Sequence, residues 1–283
     1  MDEFLPVLSN LQKGVPELFC GCKGNREGLS RDGGITMFTT TIKSLNMTYI
    51  FDVHVLRGQV FDMVGDNGLS LRMILESEEI MKVWFDLRND FEALSHHFNI
   101  YPRFYRDLQL LELMSCNGNR ARLNGLANSL RLICRQKPDF MWTEYGNHFT
   151  WFQMKRKARD YFDDWGFQEM EERPIVNRLV LKICRGDTEI MPGMHTYLIQ
   201  RLQQTTEDMR MGSSDLFLRI VDEESVIRAE AVLSGESTQK LLVKRDPDVE
   251  VMNHPRTRSP PIFRMLPAVY SWGREDELEN VMG

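Results

Sequence analysis

Long apolar runs are missing from this sequence. The longest, such as LVLKIC at 179–184, are short and broken by charge, far from the roughly 20 apolar residues that a membrane-spanning helix needs. Cysteine is scarce: Cys20, Cys22, Cys116, Cys134 and Cys184 are an odd, scattered set without zinc-ribbon spacing, which predicts free thiols in a reducing compartment rather than a disulfide framework. Positive charge is also in short supply, with 35 Lys and Arg against 41 Asp and Glu for a net charge of −6. A nucleic-acid partner therefore has to be argued from local basic patches and not from the whole chain. The opening MDEFLPVLSNLQKG begins with two acids and has neither a basic region nor a continuous apolar stretch, so no secretory leader is expected and the cytoplasm or nucleus is. No membrane partner is expected either.

What is present is enough apolar material, 42% of 283 residues, for one sizeable core and a smaller accessory region. The runs ELFCGCKG, GGITMFTTTI and MTYIFDVHVL, with Gly, Asn and Asp at their joints, read as three consecutive strands. LSLRMILES has helical spacing, KVWFD is a further strand ending in an acid, and DFEALSHHF is a helix with Phe91, Leu94 and Phe98 on one side. From Asp107 the pattern is mainly helical. Pro174 suits the first turn of a helix, and Pro192, inside a periodic stretch, should kink a helix or begin one. Strands followed by alternating helix and strand predict a mixed α/β sheet with helices packed on it. The expected division is an N-terminal extension at 1–16, one domain at 17–202, and a C-terminal extension at 203–283 consisting of a helix and a loop-rich tail.

The run ILESEEIMKVWFDLRNDFEALSHHFNI (74–100), followed by DLQLLEL (107–113), resembles a fungal branch of the DEDD (DnaQ/RNase D-like) 3′–5′ exonuclease-domain family. GLSRDGGI (28–35), YIFDVHVL (49–56), NGL (124–126), ERP (172–174) and DTEIMP (187–192) match in the same order, so the resemblance covers roughly residues 17 to 202. It implies a ribonuclease H-like fold, a mixed five-stranded sheet flanked by helices, here followed by a helical and irregular C-terminal extension. The chemistry it implies is phosphodiester hydrolysis by two Mg²⁺ or Mn²⁺ ions held by four carboxylates. An Asp-x-Glu pair on the first strand supplies two of these, because residues two apart on a strand face the same way.

Laid on that pattern, this chain departs from it. Gly21 stands in the place of the Asp and Lys23 in the place of the Glu, whereas Asp90 matches the third carboxylate and Asp187 the fourth. Ile183, four residues before Asp187, stands where a Tyr would orient the attacking water. Two carboxylates and an ammonium do not suit two hard cations that each want about six oxygen ligands, so the resemblance implies a degenerate site with no cofactor; Mg or Mn would be needed only if the site were active in another form. Lys23 is expected either to pair with Asp90 or Asp187 or to reach solvent. Asp52 and Asp86, at strand ends, are read as helix caps or solvated acids. Adjacent His96 and His97 cannot form a helical metal pair and are read as one packed, one exposed. Cys20 and Cys22, on the strand face opposite to Gly21 and Lys23, are read as core.

A second candidate site is WFQMKRKARDYFDDWGF (151–167), in which Lys155, Arg156, Lys157 and Arg159 alternate with aromatics including Trp151. Cations that track phosphates beside rings that stack on bases suit single-stranded nucleic acid. The same pattern also fits an amphipathic helix with its aromatics turned inward. A weaker basic cluster comprises Arg120, Arg122, Arg131, Arg135 and Lys137. The functional expectation is a catalytically inactive exonuclease-like protein that binds nucleic acid, RNA in preference, or serves as an adaptor for protein partners in RNA metabolism. The alternatives are a protein-interaction scaffold without nucleic-acid affinity and an active metal-dependent 3′–5′ exonuclease.

Overall fold

A computed structural model describes residues 1, 3–25, 27–115, 123–137, 148–165, 171, 173, 178–209 and 213–234. Five strands form one mixed sheet: β1 (Pro16–Gly24), β2 (Ile35–Ile42), β3 (Met47–Asp52), β4 (Met81–Trp84) and β5 (Tyr105–Asp107), in the spatial order β3-β2-β1-β4-β5. β1, β2 and β3 run antiparallel, joined by short connections; β4 and β5 add to β1 in parallel. Asn46, in the β2–β3 turn, has φ +50°, a conformation that Asn tolerates better than most side chains.

Helices cover both faces, which is why β2 reads ITMFTTTI and is buried at every position. On one face, α1 (Val53–Leu56), α2 (Gln59–Asp62), α3 (Leu71–Leu75) and α4 (Arg88–Phe98) enclose a core that includes Cys20, Cys22, Phe38, Phe51, Trp84, Phe91 and Leu94. On the other face, Phe19 and Val83 meet α5 (Leu108–Ser115), α6 (Leu126–Gln136), α7 (His148–Trp165), α9 (Met191–Met209) and α10 (Ser214–Leu233). Also on that side, Met37 packs against Val180 and Cys184 of α8 (Arg178–Glu189). Pro192 lies in the first turn of α9, where a missing N–H costs nothing. Among the described residues no helix is long and apolar enough to cross a membrane.

Two expectations need correction. The third strand stops at Asp52 instead of running on through VHVL: the Asp52 carboxylate accepts a hydrogen bond from the Val55 amide at 3.1 Å and caps α1. The boundary expected at 202 falls inside α9, and α10, expected beyond the domain, shares its core through Phe217, Val221 and Ala229. α10 also covers β5, the edge strand, and so closes a row of backbone groups that would otherwise be open to another chain. The tail at 235–283 lies outside the described residues.

Buried charge fastens α10 to the sheet. Arg228, 3% exposed, donates to Asp107 at 2.5 Å, to Gln109 at 2.9 Å and to Asp86 at 3.1 Å. Asp107 also accepts from the Asp86 and Gln109 amides, both at 2.9 Å. Its own amide donates to Ser225 of α10 at 2.9 Å. One turn earlier on α10, Asp222 takes a two-bond grip from Arg106, at 2.6 and 2.7 Å. Removing one partner of such a pair leaves the other charge buried and uncompensated. Arg228→Ala should therefore lower the unfolding free energy by roughly 3–5 kcal/mol, as read from urea unfolding at neutral pH; a loss below about 1 kcal/mol would mean that α10 is only loosely attached.

Candidate functional site: a carboxylate held by two lysines

β1 alternates its side chains between the two faces. Cys20 and Cys22 point into the core under α1–α4, while Phe19, Gly21 and Lys23 take the face that α8 crosses. On α8 the carboxylate of Asp187 lies within reach of the end of β1, and Lys23 Nζ donates to its Oδ2 at 2.5 Å. A second ammonium arrives from α7: Lys155 Nζ is 3.1 Å from each Asp187 oxygen. Gly21 adds no side chain on this face, and a Cβ built there would have only the Thr188 methyl within 4 Å, at 3.4 Å. Ile183, one turn before Asp187, is buried and apolar.

The electrostatics follow from burial and from these two cations. Burial would raise the Asp187 pKa, but Lys155 and Lys23 outweigh it and hold the acid at about 2. Burial would likewise lower the Lys23 pKa, yet Asp187 keeps it above the ordinary lysine value. Cys184, one helical turn from Asp187, is pushed up to about 11 by burial, despite the opposing influence of Lys23, Lys155 and Arg173.

Asp90 is employed differently. β4 pairs with β1 only as far as Phe19 and Val83, so the last part of β1 has no strand on that side. Asp90, in the first turn of α4, fills the gap, and its Oδ1 accepts the Cys22 amide at 2.6 Å. A buried backbone N–H thus finds the partner it requires. Burial raises the Asp90 pKa to about 7, against the lowering effect of the Cys22 hydrogen bonds and of Lys23. Lys23 makes its ion pair with Asp187, not with Asp90.

The other acids near the sheet are engaged elsewhere. Glu17 accepts from Ser44, Asp52 caps α1 and takes a two-bond grip from Arg173, and Asp86 pairs with Arg88 and Arg228. His96 and His97 are both exposed, not one packed and one exposed, since α4 turns only its Phe91, Ala93 and Leu94 side to the core. Among the described residues no group of three or more His, Cys, Asp or Glu side chains is placed to hold a metal ion.

The basic and aromatic helix resolves only in part as expected. Trp151 is 3% exposed and packs with Met154 against Gly186 and the second core, so it is not a surface on which a base could stack. Lys155 faces Asp187, whereas Arg156 and Lys157 are exposed; Arg159 lies on α7, but its side chain is outside the described residues. Of the weaker cluster, Arg131 lies 5.3 Å from the Phe152 ring, Arg135 and Lys137 are exposed, and Arg120 and Arg122 are outside the described residues. The role of Lys155 as a second cation on Asp187 was missed from sequence, because the α7–α8 contact that creates it leaves no local signature.

A carboxyl whose folded pKa is raised keeps a proton that the unfolded chain has already released, so its burial costs stability as pH rises from about 4 through about 7. Asp90→Asn keeps an oxygen for the Cys22 amide and removes that cost. Urea unfolding should find the variant and the native chain nearly equal at pH 4, with the variant more stable by about 1–3 kcal/mol at pH 8; a native chain that is the more stable of the two at pH 8 would contradict this.

No protein-family model matches the sequence, and no curated protein matches it. Solved structures do. RNase D of Trypanosoma brucei superposes with a TM-score of 0.57 at 19% identity, covering 81% of this chain and 68% of that one. The same enzyme in complex with RNA U12 gives 0.55 at 17% identity, covering 81% and 66%. NrnC of Brucella melitensis gives 0.51 at 13% identity, covering 86% and 94%. The chain thus spans about two thirds of the length of the RNase D structures and nearly all of NrnC. At these identities the likeness concerns the fold, and the fold of this chain, a five-stranded mixed sheet flanked by helices, is the ribonuclease H-like exonuclease fold of RNase D and NrnC.

Proposed function

We propose that this chain is a 3′–5′ exonuclease-fold protein without nuclease activity, which holds single-stranded nucleic acid, RNA in preference. The observation that carries the reading is the Lys23 ammonium 2.5 Å from Asp187, at the strand position where the resemblance calls for a metal-binding Glu. A two-metal site needs a cluster of oxygen ligands. The residues here do not fit one: Gly21 has no side chain, Lys23 and Lys155 occupy Asp187, and Asp90 is engaged by the Cys22 amide. Ile183 also has no hydroxyl with which to orient a water. No hydrolytic step is therefore assigned to these residues.

Retention of nucleic acid is supported by exposed Arg156 and Lys157 on the helix that carries Lys155, and by a fold shared with an RNase D whose structure contains RNA. The burial of Trp151 weighs the other way, towards a protein-interaction scaffold, because it removes one stacking platform. Two measurements separate the readings. Incubation of labelled single-stranded RNA or DNA with the purified chain and Mg²⁺ or Mn²⁺ should leave the 3′ end intact. Trimming that is abolished both by a chelator and by Asp187→Ala would overturn the inactive reading. In a binding titration, Arg156→Glu with Lys157→Glu should weaken RNA binding for every sequence tested and reduce the salt dependence by about two phosphate contacts; no binding by the native chain would leave the scaffold.

A further inference from the structure

Two ammoniums converge on one carboxylate, and they lie on its solvent side. The Lys23 and Lys155 side chains are 27% and 35% exposed, against 11% for Asp187. An ammonium has three N–H donors. Lys23 gives one to Asp187, and Lys155 spans the two Asp187 oxygens, so each ammonium keeps donor capacity beyond Asp187. The three charges sum to a surplus of one positive. Arg156 and Lys157, exposed on the same helix, add positive charge around α7, Arg156 on the side next to Lys155. Gly21, beside Lys23 on the same face of β1, leaves room that any side chain would take up.

We propose that the Lys23–Asp187–Lys155 corner is a docking point for a terminal phosphate monoester of a single-stranded nucleic acid, with the strand running from it past the exposed Arg156 of α7. This rests on the nucleic-acid reading above and names what the corner selects. An internal phosphodiester offers one negative charge and two free oxygens. A terminal monoester offers nearly two charges at pH 7 and three strong acceptor oxygens, which suits two point-charge donors set side by side. Asp187 stays behind the ammoniums as their fixed counter-charge and holds both in place; it is not a contact of the ligand.

The test compares one oligoribonucleotide sequence with four endings: hydroxyl at both ends, phosphate at the 3′ end, phosphate at the 5′ end, and phosphate at both. Each is titrated with the full chain in a chelator-containing buffer. At least one phosphate-ended strand should bind roughly tenfold or more tightly than the hydroxyl-ended strand, in line with the gain of nearly two charges, and the end that does so gives the polarity. Lys155→Gln, which leaves the Lys23–Asp187 pair intact, should abolish the preference, while Lys23→Arg, which keeps the charge, should retain it. Equal binding of all four strands by the native chain would overturn the terminal-phosphate assignment and leave the nucleic-acid reading standing. A preference that survives Lys155→Gln combined with Lys23→Gln, in protein shown to be folded by its circular dichroism, would place the phosphate elsewhere and overturn the assignment as well. No binding of any strand would bring down both.

Discussion

A carboxylate withdrawn from water must meet positive charge or give up its own, and Asp187 meets it twice. Its two cations come from different elements, Lys23 from β1 and Lys155 from α7, and the carboxylate itself belongs to α8. One neutralisation thus fixes the relative placement of a strand and two helices that are far apart in the chain. The Gly21 position, the buried Ile183 and the packing of Trp151 against Gly186 are arranged around it. The cost of desolvating three charges is offset only because all three are close together.

The parallel half of the sheet repeats the logic with other residues. Asp107, at the end of β5, is fully buried, and Arg228 from α10 is its counter-charge. Between these two ion pairs lies the splay where β4 leaves β1, and there Asp90 is bound to a backbone amide and not to a cation. Three buried acids around the sheet therefore live in three environments. Asp187 is held ionised by lysines, Asp90 has its pKa pushed up to about 7 by burial, and Asp107 is locked to a guanidinium.

Much of the fold was legible in the sequence. Strand one, the ITMFTTTI strand and the DFEALSHHF helix were readable because their apolar residues recur at the spacing of the structure they form. The Lys23–Asp187 pair could be anticipated as one of two partners, since alternation along β1 fixes the face of Lys23, and the motif order suggests what faces it. What was not legible depends on tertiary contacts. β5 has only three residues, too few for a periodicity. The DVHVL segment is β-prone, but a cap at Asp52 turns it into a helix. Trp151 and Lys155, one turn apart on α7, share the side that packs against α8, and no local pattern distinguishes that side from a solvent-facing stripe. The participation of α10 in the core was hidden because its partners, Asp107 and Asp86, precede it by more than 100 residues.

An ion gathered from solution stabilises a fold in proportion to its supply, because occupancy follows mass action. The Lys23 ammonium is not gathered: it is carried on β1, so its effective concentration at Asp187 is set by the chain and is the same in every medium. The corner formed by β1, α7 and α8 therefore acquires this counter-charge as soon as those elements meet, without drawing it from solution.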